Sequence, residues 1–387
     1  MSVMGDAPSE DATHSLGGTA PAVFEPIERV RIAILVRYRP DWLGLEPLYR
    51  ELTQYPQFDV TVVAVEELWA YREFTTDYLQ EIGIPHVPEE FYDVSVHQPA
   101  IVVCTNAHTA DSRTWLLEGD FRIVYIPYAS SISDEASIHE YQYDQPLHRV
   151  AWRIYCQGDF HKEQYKLYCS SGSQTVRALG LPKLEGIYSN YMDTTNDRFQ
   201  FLWNIHFDPD GLYSTWNEYA DTIFSIPQNQ DGVELIMRPH PGFRDIAGPE
   251  HYERITRQTG PYSLDEDPST KSSFEKSNAM ISDGSSLILD YAFTFKPIIF
   301  LIKEPPVPLN KLAFDFLEAG HYIARSSQDI QNLSKLLASG QDPKRQSRED
   351  FLTKNHQSFM EPEGTSARIV DDLSQGLADE VVKGAVV

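Results

Sequence analysis

Two short polar motifs in the second half of the sequence contain the residue types of a phosphate-binding site. The first is Arg238-Pro239-His240-Pro241, which places a guanidinium and an imidazole directly after an apolar run. The prolines on each side of His240 restrict the backbone, so the imidazole is held rigidly at the end of the preceding strand. Such a histidine can donate a hydrogen bond to a phosphate and protonate a departing one. A surface turn without function is the alternative for this motif alone.

The second motif, Ser282-Asp283-Gly284-Ser285-Ser286, stands between a short apolar run and a helical pattern. Gly284 permits a close approach of the backbone to a ligand, and Ser285 is a favourable N-cap. The hydroxyls and the free amides of a helix N-terminus can hold phosphate oxygens without any net charge. An ordinary helix cap is the alternative for this motif alone. The two motifs together predict a site for the diphosphate of a nucleotide.

Two acidic residues near the second motif are further candidates for binding the same ligand. Asp283 lies within the motif, and Asp290 follows Ser285 by five residues on the predicted helix. The Asp290 carboxylate can accept a hydrogen bond from a ligand hydroxyl. Solvation of the helix surface is the alternative for Asp290.

Short β-branched runs alternate with longer periodic segments from Arg29 onward, which predicts parallel strands with crossover helices. The strands predicted in the first half are Val30–Val36, Val60–Val65, Ala100–Cys104, Arg122–Ile126 and Arg153–Cys156. The helices predicted there are Leu43–Gln54, Glu66–Tyr78, Phe160–Tyr168 and Gln174–Leu179. The second half repeats the alternation with strands at Phe199–Trp203, Glu234–Met237, Ala279–Ser282 and Pro297–Leu301 and helices at Tyr213–Ile226, His251–Gln258, Ser285–Phe293 and Gln328–Ala338.

This alternation predicts an α/β protein of two Rossmann-like domains that face each other across a cleft. The predicted divisions are a disordered tail over residues 1–27, a first domain over 28–185, a second domain over 186–360, and a C-terminal helix and tail over 361–387. The last helix, predicted at Thr365–Leu377, is expected to pack back across the first domain. Ligands of such sheets bind beyond the carboxyl ends of the strands.

The composition excludes several classes of partner. Lys and Arg number 32 and Asp and Glu number 57, which gives a net charge of −25. This balance argues against nucleic acid as a partner and against adhesion to an anionic membrane surface. The three cysteines form no metal-ligand spacing, and no apolar run approaches the roughly 18 residues of a membrane span. We therefore expect a cytoplasmic protein without a bound metal.

Longer stretches around the two motifs resemble a known family. Ile281–Phe300 is similar to the signature of the CDP-glycerol glycerophosphotransferase family, the teichoic acid primases and polymerases. Arg238–Pro241 resembles the His-Pro motif of that family, Gly180–Lys183 its Gly-x-Pro-Arg turn, and Gly364–Val370 its closing helix. The resemblance covers roughly residues 150–375 well and the first half in pattern only.

The resemblance implies a GT-B fold and a CDP-alditol donor bound mainly by the second domain. His240 would contact the diphosphate and assist the departure of CMP. Ser285 and Ser286 would hold phosphate oxygens at the helix end, beside Gly284, and Arg238 would add positive charge. An acceptor hydroxyl of a glycan or a polyol phosphate would attack the phosphorus that carries the glycerol or ribitol. The product would be a capsule or teichoic-acid-like polymer, made without a cofactor. Because the surface is acidic, a membrane-bound biosynthetic partner or a soluble glycan acceptor is expected rather than direct docking on lipid.

The first domain departs from the family pattern. The polymerases carry a His-Gly-Thr-Pro-Leu-Lys motif whose histidine is the expected acceptor base, whereas this chain reads Pro127–Ser131 after the corresponding strand. Either the first domain handles a different acceptor, or another residue serves as the base. His206, which follows the first strand of the second half, is the preferred candidate for the base. His108, Asp134 and His139 on first-domain loops are the others.

Two other functions stay open. A GT-B glycosyltransferase that uses a CMP-activated or other nucleotide-activated sugar has the same phosphate to hold, so it would use similar motifs. A non-catalytic subunit that keeps only the donor fold is consistent with the missing first-domain histidine.

Overall fold

The computed structural model describes residues 29–66, 74–185, 197–267, 269–355 and 364–384. The predicted disordered tail over residues 1–27 lies outside the described residues. So do most of the junction between the two predicted domains and the middle of the helix predicted at Glu66–Tyr78.

Seven parallel strands form the first sheet. They are β1 (Val30–Val36), β2 (Phe58–Ala64), β3 (His86–Pro88), β4 (Ile101–Cys104), β5 (Arg122–Tyr125), β6 (Arg153–Cys156) and β7 (Val176–Ala178). Their order is β3-β2-β1-β4-β5-β6-β7. The central strands are apolar and almost entirely buried, as a parallel sheet covered on both faces requires. The chain changes direction of winding between β1 and β4, which makes this pair the switch point of the sheet.

Six parallel strands form the second sheet. They are β8 (Phe199–Ile205), β9 (Val233–Pro239), β10 (Tyr262–Leu264), β11 (Ala279–Ser282), β12 (Ile298–Leu301) and β13 (Tyr322–Ala324). Their order, β10-β9-β8-β11-β12-β13, repeats the winding of the first sheet, with the switch point between β8 and β11. The predicted architecture of two Rossmann-like halves is confirmed.

Helices connect the strands and cover both sheets. Within the described residues they are α1 (Arg39–Leu52), α2 (Thr75–Glu81), α3 (Val94–His97), α4 (Trp115–Glu118), α5 (Ala136–Tyr143), α6 (Pro146–Val150), α7 (Asp159–Tyr168), α8 (Trp216–Phe224), α9 (Ile226–Asn229), α10 (Phe243–Ile246), α11 (Pro249–Thr256), α12 (Lys271–Lys276), α13 (Leu287–Tyr291), α14 (Lys311–Gly320), α15 (Ser327–Ala338), α16 (Arg345–Lys354) and α17 (Thr365–Gly384). None of the helices in this part of the chain is long and apolar enough to cross a membrane.

The prediction of a helix at Gln174–Leu179 is wrong. This segment contains β7, an edge strand in which Val176 pairs with Ile154 of β6. Val176 is fully buried, so the burial available beside β6 outweighs the local helical pattern. The neighbouring Gly180 has a φ of +96° and follows a strand rather than a helix.

The edge strands β3, β10 and β13 were not predicted from the sequence. They have three residues each, which is too few for a period-two pattern to be recognised.

The last helix crosses back over the first sheet, as predicted. Asp372 of α17 accepts hydrogen bonds from the Arg153 guanidinium at 2.8 Å, the Tyr155 hydroxyl at 2.8 Å and the Arg177 guanidinium at 3.3 Å. The apolar side of α17 is buried, with Ile369 at 0% exposure. After the second sheet, the chain therefore returns to the first sheet, and α17 packs against it.

Candidate functional site

The two sequence motifs meet at the carboxyl edge of the second sheet. Strands β9, β8 and β11 are neighbours, and the residues that follow them are His240, His206 and the Asp283–Ser286 turn respectively. Because the carboxyl ends of parallel strands lie on one edge, all three loops converge there. The β8–β11 switch point lies between them, which is where an open α/β sheet leaves room for a ligand.

Both histidines are oriented by backbone groups. The Gly242 N–H donates to Nδ1 of His240 at 3.1 Å, and the Asp208 N–H donates to Nδ1 of His206 at 3.4 Å. A neutral imidazole whose Nδ1 accepts a hydrogen bond carries its proton on Nε2. The Phe207 ring lies between the two imidazoles, 4.3 Å from His206 and 5.3 Å from His240 between ring centres. The site therefore presents two neighbouring Nε2–H donors.

Burial keeps these imidazoles neutral. It lowers the pKa of His206 from 6.5 to about 4, with Lys303 adding to the effect. It also lowers the pKa of His240 to about 4, with His206 as the second cause. His240 lies at the protein surface, and His206 is half-buried. At neutral pH both rings are uncharged hydrogen-bond donors.

The first residues of the Asp283–Ser286 turn hold the chain segment before α8. The buried Asp283 carboxylate accepts hydrogen bonds from the Thr215 N–H at 2.9 Å and the Thr215 hydroxyl at 3.3 Å, and burial raises its pKa to about 7. A Cβ on Gly284 would lie 2.8 Å from Cβ and Cδ1 of Tyr213, so glycine is required for packing. In this structure, the lack of a side chain on Gly284 allows Tyr213 to pack closely against the backbone.

The serines lie at the start of α13, which is shorter than predicted. The Leu287 N–H donates to the Ser285 hydroxyl at 3.3 Å, and both Ser285 and Ser286 are partly exposed. The helix covers Leu287–Tyr291 and continues as a single 3₁₀ turn to Thr294. Further along it, the Asp290 carboxylate is buried and accepts a hydrogen bond from the Lys183 ammonium at 2.7 Å. Asp290 is therefore paired with Lys183, which follows β7, the last strand of the first sheet along the chain.

Two cations stand near this edge, and each has a protein partner. The Arg238 guanidinium donates to Asp265 at 2.7 Å. Lys303 follows β12, donates to the Gly211 carbonyl at 2.8 Å and lowers the pKa of Asp283. Sequence reasoning missed Lys303, although a lysine just beyond the apolar run of β12 was a usable signal.

A first-domain loop, residues 127–135, reaches the same place. The Tyr213 hydroxyl donates to Oε2 of Glu135 at 3.1 Å and lies 3.0 Å from the Ser133 hydroxyl. The Tyr213 ring stacks on His206 with 6.0 Å between ring centres. Asn310 fixes the loop as well, since its side chain donates to the Ser131 carbonyl at 2.7 Å. Sequence reasoning did not single out Glu135.

The other first-domain candidates form local pairs. His139 contacts Asp134 at 3.0 Å and stacks on Tyr168, with 3.8 Å between ring centres. His108 contacts Asp111 at 2.9 Å. Across the described ranges, no group of three or more His, Cys, Asp or Glu residues is arranged to hold a metal ion.

No family model and no curated protein matches the sequence. Solved structures do match the fold. S. aureus MnaA in its co-structure with UDP is 15% identical, with a TM-score of 0.62 over 90% of this chain and 97% of that one. UDP-GlcNAc 2-epimerase from Neisseria meningitidis bound to UDP-GlcNAc is 11% identical, with a TM-score of 0.60 over 89% and 100%.

The wall teichoic acid polymerase TagF soaked with CDPG is 10% identical, with a TM-score of 0.61 over 92% of this chain and 90% of that one. At these identities the likeness concerns the fold. Two parallel Rossmann-like sheets in these structures and in this chain establish the GT-B fold that the sequence predicts.

Proposed function

We propose that this chain transfers an alditol phosphate, glycerol phosphate or ribitol phosphate, from a CDP-alditol to a hydroxyl of a glycan or polyol-phosphate acceptor and releases CMP. The product would be a capsule or teichoic-acid-like polymer. The supporting observation is the convergence of His206, His240 and the serines Ser285 and Ser286 at the switch point of the second sheet. The resemblance of Ile281–Phe300 to the glycerophosphotransferase signature supports the choice of donor.

The proposed chemistry needs positioning and hydrogen bonds rather than a charged acid. The Nε2–H groups of His206 and His240 would donate to the diphosphate oxygens, and the hydroxyls of Ser285 and Ser286 would donate beside them. As the bond to the bridging oxygen breaks, negative charge grows on the departing CMP. Preorganised donors in a cleft stabilise such charge strongly. Asp283 would act by holding the Thr215 segment, and Arg238 by its charge.

The structural neighbours support a nucleotide-linked donor, since UDP, UDP-GlcNAc and CDPG are the ligands named for three of them. The epimerases also favour a second candidate, a GT-B enzyme whose donor is a nucleotide-activated sugar. In either case we propose a cytoplasmic enzyme. The charge of −25 favours contact with a membrane through a partner rather than directly.

Calorimetric binding of CDP-glycerol, CDP-ribitol, CMP-sialic acid and UDP-GlcNAc tests the donor without knowledge of the acceptor. We expect a CDP-alditol to bind best and His240→Ala to weaken it by about 1.5–3 kcal/mol, the range for a hydrogen bond to a charged group. His97→Ala is the control, since His97 precedes β4 at the opposite, amino edge of the first sheet. If a sugar nucleotide bound best, the second candidate function, a GT-B enzyme with a nucleotide-activated sugar as donor, would replace the first. The assignment of the fold would not change.

A further inference from the structure

The loop over residues 127–135 follows β5 at the carboxyl edge of the first sheet, and it ends in a carboxylate. Glu135 is the N-cap residue of α5, yet its side chain makes no capping hydrogen bond to that helix. Instead it extends to the second domain, where Oε2 accepts the Tyr213 hydroxyl. Asp, Asn, Ser and Thr at an N-cap ordinarily bond to their own helix, whereas the longer Glu135 side chain is directed to the second domain by its bond with Tyr213.

The hydrogen bonds around Glu135 have a fixed direction. A carboxylate can only accept, so the single Tyr213 proton goes to Glu135, and the Ser133 hydroxyl must donate to the Tyr213 oxygen. The chain of bonds therefore ends on Glu135. Within the described part of the chain, no group donates to Oε1, the second carboxylate oxygen. Oε1 is left to accept a proton from an incoming group.

Glu135 is also near the phosphate-binding histidines. The Tyr213 ring stacks on His206, so one phenol ring connects the imidazole to the carboxylate. Glu135 thus stands on the first-domain side of the cleft and His206 on the second-domain side. An acceptor hydroxyl would reach a phosphorus held at His206 from the Glu135 side of this ring.

The other candidates are less suited to remove a proton. His206 directs Nδ1 to a backbone N–H, and its Nε2 already carries the proton. His139 pairs with Asp134 and stacks on Tyr168 of α7, within the first domain.

We propose that Glu135 is the acceptor-activating base of the reaction, an assignment that rests on the proposed function. The acceptor hydroxyl oxygen forms a bond to the phosphorus that carries the alditol, and its proton passes to the Glu135 carboxylate. The bond from that phosphorus to the bridging oxygen breaks, and its electron pair leaves with CMP. Glu135 then releases its proton to water, so no further reactant is required.

The test compares wild type with Glu135→Gln, Glu135→Asp and Glu140→Gln, the last a matched control on the exposed surface of the same helix. CDP-glycerol is the donor and excess glycerol supplies the hydroxyl. Donor affinity is measured by calorimetry, and CMP release is followed as a function of pH. We expect Glu135→Gln to keep the donor Kd within about twofold and to lose about 10²–10⁴-fold in CMP release, the usual contribution of a general base. We expect Glu135→Asp to retain an intermediate rate and Glu140→Gln to behave as wild type.

The pH dependence separates a base from a structural contact. The pH profile of CMP release should differ in shape between wild type and Glu135→Gln, and Glu140→Gln should keep the wild-type profile. If Glu135→Gln released CMP at a rate within about threefold of wild type, the assignment would be overturned, because the loss of a general base lowers the rate much further. Loss of donor binding together with rate would overturn it too, in favour of a structural role. Wild-type protein that neither binds nor cleaves CDP-glycerol would instead overturn the proposed function, and the base assignment with it.

Discussion

At the scale of single residues, the main property of the site is that its histidines are uncharged before the ligand arrives. The pKa values of His206 and His240 are both about 4, so each ring is neutral through the pH range from 5 to 8. A donor diphosphate bound as proposed would add negative charge beside Nε2–H, and an opposite charge within about 4–6 Å raises a histidine pKa. Donor binding should therefore be coupled to proton uptake.

This coupling gives a pH prediction with a definite sign. Because the complex has the higher histidine pKa, it binds more protons than the free protein, and donor affinity should increase as the pH falls from 7 toward 5. Calorimetry of CDP-glycerol near pH 6 in buffers of different ionisation enthalpy should show net proton uptake, because histidine titrates in this range. His240→Ala should reduce the uptake, whereas Ser285→Ala should weaken binding without changing it. Heats that do not depend on the buffer would contradict the prediction.

At the scale of structural elements, the Asp283–Ser286 turn and the segment before α8 form one packed unit. Asp283 bonds to Thr215, and Gly284 contacts Tyr213, whose hydroxyl reaches Glu135. The turn therefore supports the residues on both sides of the cleft. A change that moves Tyr213 should disturb His206 as well, since their rings are stacked.

Gly284→Ala tests this unit. The added Cβ would lie 2.8 Å from Tyr213, so we expect a loss of about 1–3 kcal/mol in unfolding free energy, as for other overpacked sites. Weaker binding of CDP-glycerol should accompany it. Gly44→Ala is the control, because a Cβ on this residue of α1 meets nothing within 4 Å, and it should be neutral or stabilising by up to about 1 kcal/mol. Urea unfolding measures the unfolding free energy of both variants. Equal changes in Gly284→Ala and Gly44→Ala would refute the packing argument.

At the scale of the whole molecule, a partly buried ion pair joins the end of the first sheet to the second. Lys183 follows β7, and Asp290 lies on α13. Burial raises the pKa of the Asp290 carboxyl, and the attraction of Lys183 opposes this effect. A pair of this kind orients the two halves without adding much stability.

Replacement of one partner and of both should then have different effects. Lys183→Met leaves the Asp290 carboxylate buried and unpaired, so we expect a loss of about 3 kcal/mol, the lower end of the range for broken buried pairs. The double change Lys183→Met with Asp290→Leu should recover to within about 1 kcal/mol of wild type, because it removes the buried carboxylate together with its partner. Lys311→Met breaks an exposed pair with Asp315 and should cost less than about 0.5 kcal/mol. Denaturant unfolding measures all three, and a double variant no better than the single would disprove the account.

The sequence alone was enough to predict the two-domain α/β fold and the identity of the convergent loops. Long apolar runs such as β1 and β8 are buried strands in almost any packing, because their period and β-branching leave few alternatives. His240 and Ser285 follow such runs directly, so their position at a sheet edge depends on local sequence alone. The resemblances of Ile281–Phe300 and Arg238–Pro241 pointed to the same two loops.

Only the tertiary structure decided which polar groups are paired and which face the cleft. Arg238 pairs with Asp265, Asp290 pairs with Lys183, and β7 is a strand because a neighbour offers it burial. Glu135 and Tyr213 are 78 residues apart and meet only because the two sheets pack together. Short-range sequence patterns determine the helices and strands and the loops that follow them. The partner of a charge, however, depends on desolvation and distance between segments far apart in sequence, and these exist only in the folded chain.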